Sequence, residues 1–176
     1  MTTLVEWDRI ELGSRRDDLL DVYADAMEVS AAAAKARRPI VSAHLDRDGL
    51  RATAAFDDGC RLVGVAYGYL GAPGQWWHDQ VRGALPADVA DRWLTGAFEV
   101  CELHVRPRLQ GRGVGRGLLD LLLSEVTTGT AVLTTPDRET RARGFYRAGG
   151  WVDLTCGLRF PGDPRAFAVL GKALDA

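Results

Sequence analysis

The sequence predicts one mixed α/β domain, and three observations carry that prediction. Apolar periodicity alternates along the chain in the order helices, hairpin, strand, helix, strand, helix, hairpin. Asp58-Gly59 joins two runs that read as strands, a two-residue hairpin signal. The 176 residues are 47% hydrophobic, enough for one substantial core, and no repeat, linker or low-complexity segment divides them. Residues 1–176 are therefore expected to form a single domain.

The elements follow in order. Ser14 precedes RRDDLLDVYADAMEV, where Leu19, Leu20, Tyr23, Ala26 and Met27 recur at helical spacing and Asp17 stands at a capping-box position. A first helix is expected over 15–30. The alanine-rich stretch up to Pro39 and the apolar stretch beyond it predict a helix, a break and a short second helix. RATAAFD at 51–57 and RLVGVAYGYL at 61–70 are the paired strands of the hairpin. Residues 71–96, rich in Gly, Pro and Trp, read as an excursion from the sheet with short helical pieces. AFEVCELHV at 97–105 is the next strand; beyond Pro107 and a glycine run, Leu119, Leu122, Leu123 and Val126 fall at i, i+3, i+4 and i+7 of a helix. AVLTT at 131–135 predicts a short strand, and Thr135-Pro136 an N-cap and first residue for a helix carrying ETRARGFYRAG. WVDLTCGLRF at 151–160 and AFAVLGKAL at 166–174 predict a closing hairpin across PGDPR.

Composition excludes several classes of function. With 22 Lys and Arg against 24 Asp and Glu, the net charge of −2 supplies no basic field for nucleic acid. Cys60, Cys101 and Cys156 stand apart in apolar surroundings, without a CxxC pair or a His at ligand spacing. They predict buried, reduced thiols in a cytoplasmic protein, and no metal. The amino terminus lacks a signal-peptide core, and no apolar run approaches the ~20 residues that span a bilayer. A soluble protein without a membrane partner is expected.

The densest signal is GRGVGRG at 111–117, directly before an apolar helix. It fits neither common phosphate motif. Counting G-x-G-x-x-G from Gly111 reaches Arg116 and from Gly113 reaches Leu118, and no lysine follows as a P-loop requires. The general physics still applies: a strand end, a loop whose missing side chains let amides face outward, and the positive end of a helix together bind an anion such as a pyrophosphate. Arg106, Arg108, Arg112 and Arg116 crowd the same stretch with no acid among them.

The spacing is more specific. LHVRPRLQGRGVGRGLL resembles motif A of the GNAT superfamily of N-acetyltransferases, [QR]-x-x-G-x-[GA] after a strand reading L-x-V-x-P, with Leu103, Val105, Pro107, Gln110, Gly113 and Gly115 all in place. RARGFYRAGGW resembles the family's A-x-x-F/Y-Y-x-x-x-G-F block, with Phe145, Tyr146 and Gly150 matching and Trp151 where Phe is usual. The order of elements agrees over most of the chain. The resemblance implies the GNAT fold: a single mixed, mostly antiparallel sheet of six to seven strands, flanked by about four helices and splayed at its central strands.

It also implies a chemistry, with acetyl-CoA as donor and no metal. The pyrophosphate would lie on the amides of Gly111, Arg112, Gly113, Val114, Gly115 and Arg116, next to Gln110, and the pantetheine arm along Leu103, His104 and Val105. The Val105 N–H would polarise the thioester carbonyl, where one donor is worth ~3 kcal/mol. Asp137 stands where the family often has Asn and Arg143 where it has Ala; both are expected to face the cofactor. Tyr146 matches the family's general acid for the leaving thiolate.

Acyl transfer to an amine needs the neutral amine. With a lysine-like pKa near 10.4, only about one molecule in 10³ is neutral at pH 7, a cost of roughly 4 kcal/mol that a general base offsets. Glu102 and His104 share one face of their strand by alternation and Glu99 takes the other. Glu102 is the favoured base, with His104, Glu99 or a water chain as alternatives. The acceptor, a small-molecule or peptide amine, is expected over the first two helices and the 71–96 excursion, with Trp76, Trp77 and Glu99 as substrate-binding residues. The tryptophans would equally suit a homodimer contact. The rival reading is a fold relative that binds acyl-CoA without turnover, as a sensor or interaction module.

Overall fold

A computed structural model describes residues 1–174. Its seven strands form a mixed sheet in the order β1-β2-β3-β4-β5-β7-β6. The strands are β1 (Thr2–Trp7), β2 (Arg51–Asp57), β3 (Leu62–Leu70), β4 (Phe98–Val105), β5 (Thr130–Pro136), β6 (Val152–Leu158) and β7 (Phe167–Ala173). Pairings β1–β2, β2–β3, β5–β7 and β6–β7 are antiparallel, and β4–β5 is parallel. Contacts group the chain into two compact units, one of residues 1–69 and 100–126, the other running from Leu70 to Glu99 and from Thr127 onward.

In the first unit, helices α1 (Arg9–Ser14), α2 (Arg16–Met27), α3 (Ala31–Lys35) and α4 (Arg38–His44) precede the β2–β3 hairpin. Leu12, Leu19, Leu20, Val22 and Val41 of these helices bury against Ala52, Ala54, Val65 and Tyr67 of the strands. Helix α7 (Val114–Leu123) covers β1 and β2 from the opposite face, where Thr53 Oγ1 donates to Leu118 O at 3.1 Å and Arg51 Nε to Leu122 O at 3.1 Å. In the second unit, α5 (Trp76–Ala84) and α6 (Ala87–Leu94) bring Val81, Leu85, Ala90 and Leu94 onto Val132, Phe160 and Val169. Helix α8 (Arg141–Ala148) packs on β5.

Several expectations are corrected. Strand β1 is an element that the periodicity does not announce, although its Thr-Thr-Leu-Val run carries β-forming residues; it pairs with β2 over its whole length. The helix expected over 15–30 is α2, and a separate helix, α1, precedes it: the capping box belongs to Asp8 and Glu11 at the start of α1, and Ser14 ends α1 with its hydroxyl on Glu11 O. With α1, the two helices on either side of Ala36 and Arg37, and two in the excursion, the described residues hold eight helices, many of them short, around the expected sheet. The hairpin turn is longer than Asp58-Gly59: Asp57 Oδ1 accepts from the amides of Gly59 and Arg61, and Cys60 takes the positive φ of 58°. Cys60 and Cys156 are exposed and Cys101 is half-buried, so these reduced cysteines are not the buried set expected. Thr135 and Pro136 extend β5 against Ala168 and Phe167, and the Asp137 N–H continues that pairing to Ala166 O. The cap of α8 is instead Thr140, whose hydroxyl accepts from Arg143 N at 3.1 Å.

Strand β7 lies between β5 and β6, and its Gly171 faces the indole of Trp93 from α6. A Cβ at Gly171 would stand 2.6 Å from Trp93 Cε3 and 3.0 Å from Leu154 Cδ1. The ring is rigid and cannot yield by a rotamer change. Gly171→Ala is expected to destabilise the protein by about 1–3 kcal/mol, read as a lowered urea midpoint at unchanged m-value.

Candidate functional site

The glycine run follows the end of β4. The Arg106 N–H donates to Val63 O at 2.9 Å, a 3-10 turn covers Pro107–Leu109, and the chain reaches α7 through Gly111 and Gly113 at φ 75° and 84°. Gly113 is the N-cap of α7, and no side chain caps that end. The first helical N–H to find its carbonyl is Gly117, bonded to Gly113 O at 2.9 Å, which leaves the amides of Val114 and Gly115 without an intrahelical acceptor. Nothing lies within 4 Å of where a Gly113 Cβ would stand, so the space over the loop is open. A ten-residue helix with a bare positive end behind a glycine loop fits a pyrophosphate. Gln110 braces it: its Nε2 donates to Val105 O at 2.9 Å.

The arginines divide. Arg106 donates to Asp25 and to Leu62 O, and Arg108 to Asp57 at 2.8 Å, so both are engaged within the fold and the expected crowd of free positive charge is smaller. Acids distant in sequence neutralise them. Arg112 lines a groove of about 540 Å³ together with Leu109, Gly113 and Val114. Gly117, inside α7, admits the close approach of Leu4 from β1, a packing role.

On the same strand, β4, Glu102 is 8% exposed and lies between Arg37 and His104. Its Oε1 accepts from Arg37 Nη2 at 2.5 Å and its Oε2 meets His104 Nε2 at 2.5 Å. Burial pushes this carboxyl up, but the bonds and charges of His104 and Arg37 outweigh it and hold the carboxyl at about 2. Tyr23 of α2 closes the group, its ring edge-on to His104 at 5.1 Å and under the Arg37 guanidinium at 4.7 Å. Alongside, His44 Nδ1 is 2.9 Å from Tyr67 Oη and 3.4 Å from Cys101 Sγ. Burial lowers the His44 pKa, with Arg47 and Arg37 adding to the fall against Glu102, and burial raises that of Tyr67, with Cys101 and Glu102 adding to it. Sequence patterning does not identify Arg37, Tyr23 or His44 as site residues. Arg37 is 65 residues from Glu102, and no local pattern reports such a pair.

The low Glu102 pKa has a stability consequence. The carboxyl is at about 2 in the folded chain against an ordinary 4.5, so its pairing stabilises the fold above pH 4.5 and is lost as the pH falls toward 2. Glu102→Gln is expected to be less stable than wild type at pH 7, because it leaves the half-buried Arg37 guanidinium without its counter-charge. Its urea midpoint is expected to fall less than that of wild type between pH 5 and pH 3.

In the second unit, the two departures at 137 and 143 are partners. Arg143 is buried and donates to Asp137, to Asp153 at 2.9 Å and to Cys156 Sγ at 3.3 Å. Asp137 also accepts from the Gly157 N–H at 2.8 Å, and its pKa is lowered, first by Arg143 and then by that amide. The pair ties the start of α8 to β6. Tyr146 of α8 packs edge-on against Phe145 at 5.1 Å and Trp151 at 5.7 Å. Trp76 is 56% exposed and stacks on Phe160 at 5.3 Å, while Trp77 donates to Thr134 Oγ1 at 3.2 Å and packs into the core beneath α5. Glu99 is buried at the start of β4, paired in register with Val132. Among the described residues, no group of three or more His, Cys, Asp and Glu is placed to hold a metal, and no helix is long and apolar enough to cross a membrane.

Comparison with known proteins adds three findings. The profile of the Acetyltransferase (GNAT) family matches residues 16–150. A GCN5-like protein acetyltransferase of Mycobacterium tuberculosis is 36% identical over 200 residues, spanning 97% of each chain. Among solved structures, an acetyltransferase of Thermus thermophilus superposes with a TM-score of 0.63 at 15% identity, covering 99% of this chain and 97% of that one. The ribosomal-protein-S18-alanine N-acetyltransferase of Escherichia coli does so with a TM-score of 0.62 at 12% identity, over 100% and 96%. The structural likenesses speak for the fold.

Proposed function

Because this chain belongs to the GNAT acetyltransferase family, we propose that it moves an acetyl group from acetyl-CoA to a primary amine of a small molecule or peptide, by direct attack in a ternary complex. The observation that carries the proposal is the bare N-terminus of α7 behind Gly113, on the same β4–α7 segment as the buried Glu102–His104 pair. An anion-binding loop and a proton-accepting pair on one segment are the two things acetyl transfer to an amine requires. That the M. tuberculosis relative is named a protein acetyltransferase supports the peptide among the two acceptor classes.

Bound acetyl-CoA supplies an activated acetyl thioester. In this reading the amides of Gly111 to Arg116 hold its pyrophosphate, with Arg112 adding charge. Gln110 holds the Val105 peptide so that the Val105 N–H meets the thioester carbonyl. Leu103 and His104 flank the pantetheine arm. The Glu102–His104 pair takes the proton of the acceptor ammonium, and Tyr146 returns one to the leaving thiolate. Asp137 and Arg143 act by holding the start of α8, which carries Tyr146, while Trp76, Trp77 and Glu99 are assigned to the acceptor side.

The test is a thiol-release screen with acetyl-CoA over aminoglycosides, polyamines, amino acids and peptides bearing a free amino terminus or a lysine. Acetylated product from one of these amines, confirmed by mass, is expected. Tight acetyl-CoA binding with no amine turned over would replace the enzyme by an acyl-CoA-binding module, and no binding at all would overturn both.

A further inference from the structure

We propose that the acceptor of the amine proton is His104 Nδ1, and that Glu102 and Arg37 are positioning residues that hold the imidazole for it; this deepens the acetyl transfer proposed above and rests on it. Both Glu102 oxygens are engaged, one by Arg37 and one by His104, each at 2.5 Å. A carboxylate so compensated, with its carboxyl at about 2, takes almost no proton at neutral pH and acts there as a hydrogen-bond acceptor alone. His104 Nε2 must then be the donor, which fixes the tautomer and leaves the lone pair on Nδ1. Among the described residues no group bonds to Nδ1 of His104.

The rest of the cluster restrains the ring. Tyr23 stands edge-on to His104 with an interplanar angle of 90°, and Arg37 lies over Tyr23 while holding Glu102. The charged or titratable groups around the imidazole are thus Glu102 of β4, Arg37 before α4 and Tyr23 of α2, with His44 of α4 and Tyr67 of β3 coupled to the same carboxylate. On this assignment one proton leaves the acceptor ammonium for Nδ1, the freed lone pair attacks the thioester carbon to form the C–N bond, the C–S bond breaks as the thiolate leaves with a proton from Tyr146, and the second proton shed by the nitrogen restores the Tyr146 hydroxyl. The imidazolium is compensated by Glu102 until it releases the proton to solvent. Glu102, the residue favoured as base from sequence alone, becomes the group that aims and charges the base.

Two measurements decide it. With acetyl-CoA and a short peptide carrying one lysine, His104→Gln is expected to lower kcat/KM at pH 7 on the order of 10²-fold, and the deficit is expected to shrink toward pH 10, where the lysine is neutral without help. A deficit that stays constant with pH is that of a packing residue and overturns the proposal, as does a Glu102→Gln variant slower than His104→Gln with the same rescue at high pH. The second measurement needs neither substrate: the ¹⁵N shifts of His104 in the free wild-type protein are expected to show Nε2 protonated and Nδ1 bare, with the bias relaxed in Glu102→Gln. A wild-type ring protonated on Nδ1 alone overturns the assignment even if the variants fail to fold. A wild type that binds acetyl-CoA yet acetylates no amine counts against the enzyme reading, and the ¹⁵N spectrum still decides the tautomer.

Discussion

Gly113→Glu is expected to fold normally and to lose acetyl-CoA affinity by on the order of 100-fold, about 2.7 kcal/mol. Folding survives because a Cβ there meets nothing within 4 Å; the φ of 84° costs a non-glycine residue about 1–3 kcal/mol of local strain. Binding fails for two electrostatic reasons. A carboxylate at the N-cap of α7 satisfies the very amides that a pyrophosphate needs, since an acid at a helix N-terminus is itself favourable by about 0.3–1 kcal/mol. It also sets a like charge against the incoming phosphates. Gly113→Ala keeps the strain without the charge and is expected to lose far less. Titration calorimetry with acetyl-CoA, beside circular dichroism for the fold, separates these effects, and an unchanged Kd in Gly113→Glu would remove the anion site from this loop.

Tyr146→Phe is expected to lower kcat on the order of 10²-fold while acetyl-CoA affinity stays within about twofold, the split expected of a lost proton donor. The structure makes the substitution a clean one. The ring packs edge-on to Phe145 and Trp151, and phenylalanine reproduces those contacts, so only the hydroxyl is removed. Its replacement by water as donor would show as a kcat that recovers with a more acidic leaving thiol. If kcat is unaltered with acetyl-CoA, Tyr146 is a packing residue and the departing thiolate takes its proton elsewhere.

Legibility in the sequence followed distance along the chain. The β2–β3 hairpin, β4, β5 and the last two strands lie within a few residues of where alternation puts them, because a period of two is a local property. The two helices of the excursion agree with the helical pieces expected there. Boundaries failed where two local signals competed. Ser14 and Thr135 both look like N-caps, but the Ser14 hydroxyl turns back to Glu11 O at the end of α1 and leaves Arg15 as the N-cap of α2, and pairing with β7 overrides a cap at Thr135. Asp137 and Arg143 look like two separate departures from a family pattern, whereas six residues apart they make one ion pair at the head of α8. The arginines beside the glycine run look free because their acids, Asp25 and Asp57, lie 81 and 51 residues away.

The family and the fold class were determined by the sequence by itself, and so was the glycine loop that leads from β4 into α7. Those follow from spacing within about thirty residues, because backbone amides, glycine conformations and helix ends are set locally. The electrostatic surroundings of Glu102 were decided by tertiary structure. Glu102 and His104 are near neighbours in sequence, but the anion they share is completed by Arg37, which follows His104 in lowering the Glu102 pKa and is brought from 65 residues away by helices whose apolar faces bury against the β2–β3 strands. A carboxylate's charge depends on what desolvates it and what lies within a few ångströms, and neither is written in the residues beside it.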